Sequence, residues 1–450
     1  MRYLPQTEIE IQKMCETIGV ENPSDLFFQS IPQKLRFQGK LGIPAALSEQ
    51  ELLAHLKALS KKNKTVDHAT SFLGAGAYHH YIPVAVSSLM GRGEFLTGYT
   101  PYQPELSQGT LQAIFEFQTM VASLLGMDIA NASTYDGSTS LAEAVLMALR
   151  LKSKKQKVLL ARNLHPEYRK VVQTVLHNMG TPIEEVNFSA DGRIDLADLQ
   201  KKLTPEVAVF CAGYPNYFGV IEDLAGLAKI IHANDSLFVT ATQEALSLAL
   251  LKSPGSCAAD IAVAEGQSFG NFLNNGGPYV GLFACKQSDV RQMPGRIVGQ
   301  TLDAQGKRGF VLTLSTREQH IRREKATSNI CTNQSLCALG ASIYLALLGP
   351  VGLKKLAEMN VSRLQFAKRT LSNVSGVELV LNGPAFNEFV IKLSKPVEQV
   401  LKHCLQQEIF AGVSLKKDYP ELGEALLLCV TEMNSRADIE RFAQVLKKVN

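Results

Sequence analysis

Three consecutive residues that could bind an anion lie in the segment NASTYDGSTSLAEA. Gly137, Ser138 and Thr139 follow a predicted turn and open a predicted helix. Backbone amides, two hydroxyls and the positive end of the helix dipole would then face one point, an arrangement that suits a phosphate group. An ordinary helix cap after an Asp-Gly turn would give the same pattern. The segment alone therefore leaves both interpretations open.

The histidines show no spacing that is typical of a metal site. His79 and His80 are adjacent, whereas a zinc-binding helix places two histidines four residues apart. We therefore expect no metal ion at this pair. His320 lies in the charged run TREQHIRREK, which is typical of a solvated helix face.

Composition and charge exclude several classes of protein. The chain has 450 residues, of which 46% are apolar and 20% charged, so it can form more than one hydrophobic core. The net charge of +4 is small, and basic residues cluster only at 61–64 and 322–325, so we expect no nucleic-acid partner. The N-terminal segment lacks a continuous apolar run. We therefore expect no signal peptide, no membrane span and a cytoplasmic location.

Eight cysteines are spread through mostly apolar stretches without a CxxC pair. This pattern favours reduced thiols in the core over a metal or disulfide framework. Cys331 and Cys337 are spaced so that they could lie on consecutive turns of one helix.

The spacing of apolar residues predicts three parts of the chain. Residues 1–65 indicate an N-terminal arm of short amphipathic helices, with a capping box formed by Ser48 and Glu51. Residues 66–345 alternate short apolar strands with helices, which predicts a large α/β domain with a mostly parallel sheet. Residues 346–450 combine a few strands with helices and predict a small C-terminal α+β domain.

The same pattern gives approximate bounds for individual elements. We expect a long helix from Ser107 that stops at Gly126, a helix over 244–251 and a helix over 352–373. The strands of the large domain are expected at 157–161, 182–186, 207–212, 237–241, 260–264 and 279–284.

Several long segments, read in order, resemble one protein family. They include GYTPYQPELSQGTLQAIFEFQTM, YPNYFGVIED, DIAVAEGQSFG and the block from GRIVGQT to NICTNQ. Over its whole length the chain resembles the alpha subunits of bacterial glycine dehydrogenase (decarboxylating), the P-protein of the glycine cleavage system. The resemblance implies the type I fold of pyridoxal-phosphate enzymes, in which a large seven-stranded, mostly parallel sheet domain is joined by a small C-terminal domain and an N-terminal arm.

In this family a separate beta chain carries the lysine that binds pyridoxal phosphate covalently. The resemblance places Ser268 at the position of that lysine, and serine cannot form an imine with the cofactor. It also places Thr240 and Thr242 where a catalytic member usually has an aspartate beside the pyridine nitrogen. The resemblance therefore implies no catalytic residue on this chain, and at Gly137, Ser138 and Thr139 only a vestigial phosphate loop.

The activity implied by the resemblance is the decarboxylation of glycine by an α2β2 assembly, which passes the aminomethyl group to the lipoyl group of the H-protein. The alpha chain would complete the active site of its beta partner. The loop GYTPYQPE and the segment GRIVGQT are expected to reach that site, although their side chains could equally be packing groups at an interface. The residues expected there are Tyr99, Thr100, Tyr102, Gln103, Arg296 and Gly299.

Two alternatives to this role stay open from the sequence. The chain could be a self-sufficient pyridoxal-phosphate enzyme that uses a displaced lysine, and the candidates are Lys252 and Lys286, since no lysine lies between them. It could also be a non-catalytic regulatory or scaffold protein whose degenerate cofactor pocket binds an anion or an amino acid.

Overall fold

The computed structural model describes residues 5–449 of the chain and divides them into two units. The first unit comprises residues 5–64 and the second residues 65–449. The expected division of the second unit at residue 346 stays a prediction.

The first unit contains three short α-helices, each opened by a capping box. The predicted box of Ser48 and Glu51 is confirmed, because each residue's side chain accepts a hydrogen bond from the other's backbone N–H. Thr7 with Glu10 and Asn22 with Asp25 form the same motif. The helices are α1 (Glu8–Ile18), α2 (Pro23–Gln29) and α3 (Glu49–Ser60).

The second unit is built on a seven-stranded sheet. The strand order is β2-β8-β7-β6-β5-β3-β4. The five strands from β7 to β4 run parallel to one another, whereas β8 is antiparallel to both of its neighbours, β7 and β2. The predicted α/β class and mostly parallel sheet are confirmed. The strands are β2 (Ile129–Ala130), β3 (Lys157–Ala161), β4 (Ile183–Val186), β5 (Val207–Gly213), β6 (Leu237–Thr242), β7 (Ile261–Glu265) and β8 (Gly281–Cys285).

All residues of the central strands β5 and β7 are buried, since helices cover both faces of the sheet. Phe210 on β5 stacks on Phe238 of β6, with ring centroids 6.2 Å apart. The helices that precede or join these strands are α4 (Val84–Met90), α5 (Gly93–Leu96), α6 (Gln108–Leu125), α7 (Gly137–Leu151), α8 (Pro166–Leu176), α9 (Leu196–Lys202) and α10 (Leu224–Ala233).

Smaller sheets complete the second unit. The antiparallel order β11-β12-β15-β14 forms a four-stranded sheet, β9 and β10 form a hairpin, and β1 pairs parallel with β13. These elements are β1 (Thr70–Ser71), β9 (Ile297–Leu302), β10 (Arg308–Thr313), α11 (Gln319–Arg322), α12 (Ser335–Leu371), β11 (Val377–Val380), β12 (Glu388–Leu393), α13 (Val397–Gln406), β13 (Ile409–Phe410), β14 (Val413–Ser414), β15 (Ala425–Cys429) and α14 (Arg436–Val449).

One sequence-based expectation about local structure was wrong, one was confirmed, and one open possibility is excluded. The helix expected over 244–251 is a short 3-10 helix, Ala245–Ala249, because the Glu244 side chain accepts a hydrogen bond from the N–H of Leu246 and holds a tight turn. The helix expected over 352–373 is present as the second part of α12, which is broken at Gly349 (φ 58°), before Pro350, and ends at Leu371; the first part, from Ser335, was not expected. Cys331 is exposed and lies before this helix, so Cys331 and Cys337 do not occupy consecutive turns.

Among the described residues, α12 is the one helix that is long and apolar enough to cross a membrane. The break at Gly349 divides it, and side chains such as Ala341, Tyr344 and Leu364 lie in the core. Helices in the cores of globular proteins meet the same criterion of length and composition.

A buried histidine links the small four-stranded sheet to the large one. His80 lies between two carboxylates, with Nε2 2.9 Å from Glu244, which follows β6, and Nδ1 2.8 Å from Glu432, which follows β15. Burial opposes the charged imidazole, but the two carboxylates outweigh it and raise the pKa of His80 to about 10. At neutral pH, His80 is therefore a buried cation between two anions.

We expect His80→Ala to reduce the free energy of unfolding by about 3–5 kcal/mol at neutral pH, because it leaves two buried carboxylates facing each other without their cation. The raised pKa of His80 contributes stability that is complete below about pH 6.5 and is lost as the pH rises towards about 10. The difference between wild type and variant should therefore narrow across this range. Urea denaturation at several pH values measures it.

His177→Ala is the matched control, since His177 is exposed in a surface turn and its replacement should leave stability nearly unchanged. A His80→Ala variant with the stability and pH profile of the wild type would show that the two ion pairs do not hold the sheets together.

Candidate functional site

The position that the resemblance assigns to a cofactor lysine lies in a buried loop after β7. Ser268 is 2% exposed, and its Oγ makes no hydrogen bond within residues 5–449. The loop begins where the parallel strands end, which is the edge at which open α/β sheets bind ligands. Ser268 therefore lies at the ligand-binding edge of the sheet, but its side chain has no amine.

Neither of the two nearest lysines in sequence reaches this loop. The ammonium group of Lys286 pairs with Asp260, the residue just before β7, so it lies at the opposite edge of the sheet from Ser268. Lys252 is exposed in the connection that returns the chain to the start of β7. The structure therefore gives no support to a displaced Schiff-base lysine.

Thr240 and Thr242 lie on β6, where a catalytic member would carry an acidic residue. Both side chains are buried, and neither hydroxyl has a hydrogen-bond partner within the described chain. A threonine hydroxyl carries no charge at neutral pH, so it cannot keep a pyridine nitrogen protonated as an aspartate does.

Carboxylates within the chain bind the predicted phosphate loop. The N–H of Gly137 donates to Oε2 of Glu265 at 2.9 Å, and the N–H of Thr139 donates to Oδ1 of Asp136 at 2.7 Å. The Ser138 hydroxyl donates to the same Asp136 oxygen at 2.8 Å. Since an added anion would meet two acidic side chains, these contacts argue against a phosphate group at Gly137–Thr139.

The residues at this edge of the sheet therefore do not fit pyridoxal phosphate. The positions that the resemblance assigns to the cofactor offer no amine for the aldehyde and no acid for the ring nitrogen, and the N–H groups of Gly137 and Thr139 already donate to carboxyl groups. Across residues 5–449, no group of three His, Cys, Asp or Glu side chains could hold a metal ion.

Two of the expected interface residues meet in a second cluster. Arg296 is buried, and its Nη2 donates to the Tyr102 hydroxyl at 3.1 Å and to the Cys331 carbonyl at 2.7 Å. The guanidinium carbon also lies 5.3 Å from the centroid of the Tyr102 ring. Tyr102 itself is 53% exposed, so the buried guanidinium group contacts a tyrosine whose ring reaches the surface.

Two further residues, Glu318 and His320, complete this cluster. Nε of Arg296 is 3.5 Å from Oε2 of Glu318, which is close enough for an ion pair but without hydrogen-bond geometry. The His320 ring makes an edge contact with Tyr102, with centroids 5.7 Å apart, and its Nδ1 is 3.7 Å from Glu318. His320 is exposed as expected, yet the charged run gave no sign that it would meet Tyr102.

The other expected interface residues, which range from half-buried to exposed, are close to Tyr102 or Arg296 in sequence. Tyr99 is 80% exposed beside an apolar groove that Phe95, Leu336 and Leu339 also line. Thr100 is half-buried and Gln103 exposed on the same loop. Gly299 is half-buried on β9, opposite Val311 of the hairpin. Whether these residues touch a partner stays a prediction.

Comparison with known proteins gives one family over nearly the whole chain. The profile of the family "Glycine cleavage system P-protein" matches residues 1–446. The chain is 49% identical, over 450 residues and all of both chains, to the probable glycine dehydrogenase (decarboxylating) subunit 1 of Desulforamulus reducens.

Solved structures agree with this comparison. A crystal structure of glycine decarboxylase (P-protein) of the glycine cleavage system, in inhibitor-bound form, matches with a TM-score of 0.92 and 41% identity over all of both chains. The sphingosine-1-phosphate lyase of Burkholderia pseudomallei matches with a TM-score of 0.68 at 14% identity, over 93% of this chain and 94% of that one, which bears on the fold alone. The fold is the type I fold of pyridoxal-phosphate-dependent enzymes. The chain belongs to the P-protein family of the glycine cleavage system.

Proposed function

We propose that this chain is the lysine-free subunit of a two-chain glycine decarboxylase, and that it completes the active site of a lysine-bearing partner. The observation that carries the proposal is that Ser268, at the position that the resemblance assigns to the cofactor lysine, is a buried hydroxyl, in a chain that matches the family over residues 1–446. The relatives are named subunit 1, which supports a second chain.

The partner chain would hold pyridoxal phosphate covalently, and the cofactor would supply the electron sink for the loss of carbon dioxide from glycine. The aminomethyl group would then pass to the lipoyl group of the H-protein. We propose an α2β2 assembly in the cytoplasm, and the eight free cysteines support a reducing compartment.

Exposed apolar side chains in the segment that carries Tyr102 support the partner interface. Val84 and Leu106, at the two ends of this stretch, are 77% and 83% exposed, and Leu96 and Tyr99 between them are 58% and 80% exposed. Large exposed apolar side chains over one short stretch mark a protein interaction surface. The loop that carries Tyr102 would therefore lie against the partner, where the cation of Arg296 could stabilise negative charge.

Borohydride reduction in the presence of pyridoxal phosphate tests the division of labour between the chains. We expect no site-specific pyridoxyl-lysine on this chain, alone or in complex, and one labelled lysine per partner chain, because only the partner has an amine at the cofactor. Peptide mass mapping locates the label. A single labelled lysine on this chain, for example Lys252 or Lys286, would refute the proposal.

Substitutions of Arg296 and Tyr102 test whether the cluster serves the partner's site. In the assembled enzyme we expect Arg296→Ala to lower kcat for exchange of labelled bicarbonate into glycine by roughly 10²-fold, since a preorganised charge is lost. Tyr102→Phe should cost about tenfold, because it removes one hydrogen bond. Size-exclusion chromatography must show that both variants still bind the partner.

Arg441→Ala is the matched control, because Arg441 is exposed on α14 and donates only to the Gln407 carbonyl. This variant should keep full activity. If Arg296→Ala and Tyr102→Phe were as active as the control, the two residues would be packing groups rather than part of an active site.

A further inference from the structure

One buried carboxyl group contacts the start of α7, the segment that the resemblance assigns to a vestigial phosphate loop. Glu265 is the last residue of β7 and is 3% exposed. Its Oε2 accepts from the N–H of Gly137 at 2.9 Å. Its Oε1 accepts from the N–H of Gln267 at 3.1 Å and of Val280 at 3.2 Å. Three backbone donors from three separate segments therefore converge on one side chain.

This set of donors has the features of an anion-binding site. The Gly137 N–H is at the first turn of α7, a helix of 15 residues, so the positive end of the helix dipole points at the carboxylate. Backbone N–H groups that converge in this way are used in proteins to bind phosphate groups. In this chain the carboxyl group of Glu265 accepts these hydrogen bonds.

The surroundings leave little space or favourable charge for a second anion. A Cβ added at Gly137 would lie 2.2 Å from the Tyr168 hydroxyl and 3.1 Å from Cβ of Glu265, so the start of α7 is tightly enclosed. Burial raises the pKa of the Glu265 carboxyl to about 8; the N–H of Gly137 opposes this shift, and the charge of Asp136 adds to it. An added phosphate would be repelled by Asp136 and blocked by Glu265.

We propose that the Glu265 side chain occupies the phosphate position at the start of α7, so that this chain keeps its fold without holding a cofactor. The inference deepens the proposed function, on which it rests, since it explains how a lysine-free subunit is stable when its cofactor pocket holds no cofactor.

Removal of the carboxylate should open the phosphate position. In Glu265→Ala, the three N–H groups lose their acceptor and space appears beside α7. The probes are pyridoxine 5′-phosphate and pyridoxine, which lack the aldehyde and so do not react with lysines. Calorimetric titration of the isolated chain should show that Glu265→Ala binds the phosphate ester at least about tenfold more tightly than the wild type does. Neither protein should bind pyridoxine.

Glu265→Gln is the matched control, because the amide keeps the bulk of the side chain, cannot carry a negative charge and has one acceptor oxygen instead of two. It should bind the phosphate ester no better than the wild type, since the position is still filled. Tighter binding by Glu265→Gln than by Glu265→Ala would show that charge alone, and not occupancy, closes the position, and it would overturn the proposal in this form.

Two other results would overturn the proposal. One is saturable binding of the phosphate ester by the wild type, and the other is equal affinity of wild type and a folded Glu265→Ala. Should Glu265→Ala fail to fold, Glu265→Ser, which keeps a small acceptor, takes its place in the same titration. Folding of either variant that depends on added phosphate ester supports the proposal. Failure of the two-chain proposal would appear in the lysine-labelling experiment and would leave these titrations unchanged.

Discussion

A buried carboxylate is stable only where hydrogen-bond donors or a cation surround it, and this constraint shapes the edge of the sheet where the parallel strands end. Glu222, Glu244, Glu265 and Glu388 are all buried near that edge or on the small sheet that faces it. The groups that stabilise them differ. Glu244 pairs with the imidazolium of His80, whereas Glu265 accepts from three backbone N–H groups.

The other two buried carboxylates rely on neutral donors. Glu222 accepts from the side-chain amides of Asn163 and Asn216, both at 2.8 Å, and burial raises its pKa to about 7. Glu388 accepts from the Tyr78 hydroxyl at 2.9 Å and from the Ala75 N–H, and burial raises its pKa to about 8. Because the donors come from distant parts of the sequence, these acids join the glycine-rich loop at 74–80, the large sheet and the small sheet into one unit.

The sequence predicts well whatever depends on local order. Strands such as β5 were predictable because a run of apolar residues between turn signals has few alternatives, and the Ser48 capping box because it needs only a spacing of three. The lack of a lysine near Ser268 could also be read directly, once the resemblance had aligned the loop.

What the sequence could not predict depends on contacts between distant residues. Nothing adjacent to His80 shows that Glu244 and Glu432 will enclose it, 164 and 352 residues away. The same is true of Glu265, whose donors Gly137 and Val280 come from other elements, and of Glu318 beside Arg296. The β9–β10 hairpin was missed because β9 carries Gly299 and polar residues, and its three last positions are exposed.

The His80 ion pairs also have a mechanical consequence. They fasten the loop at residue 80, the turn after β6 and the turn after β15 to one another inside the protein, where water cannot replace a broken contact. Swinging the small sheet away from the large one would separate a buried cation from its anions. These contacts therefore oppose movement of the small sheet relative to the large one, and in the proposed enzyme the partner chain would have to move to open the shared site.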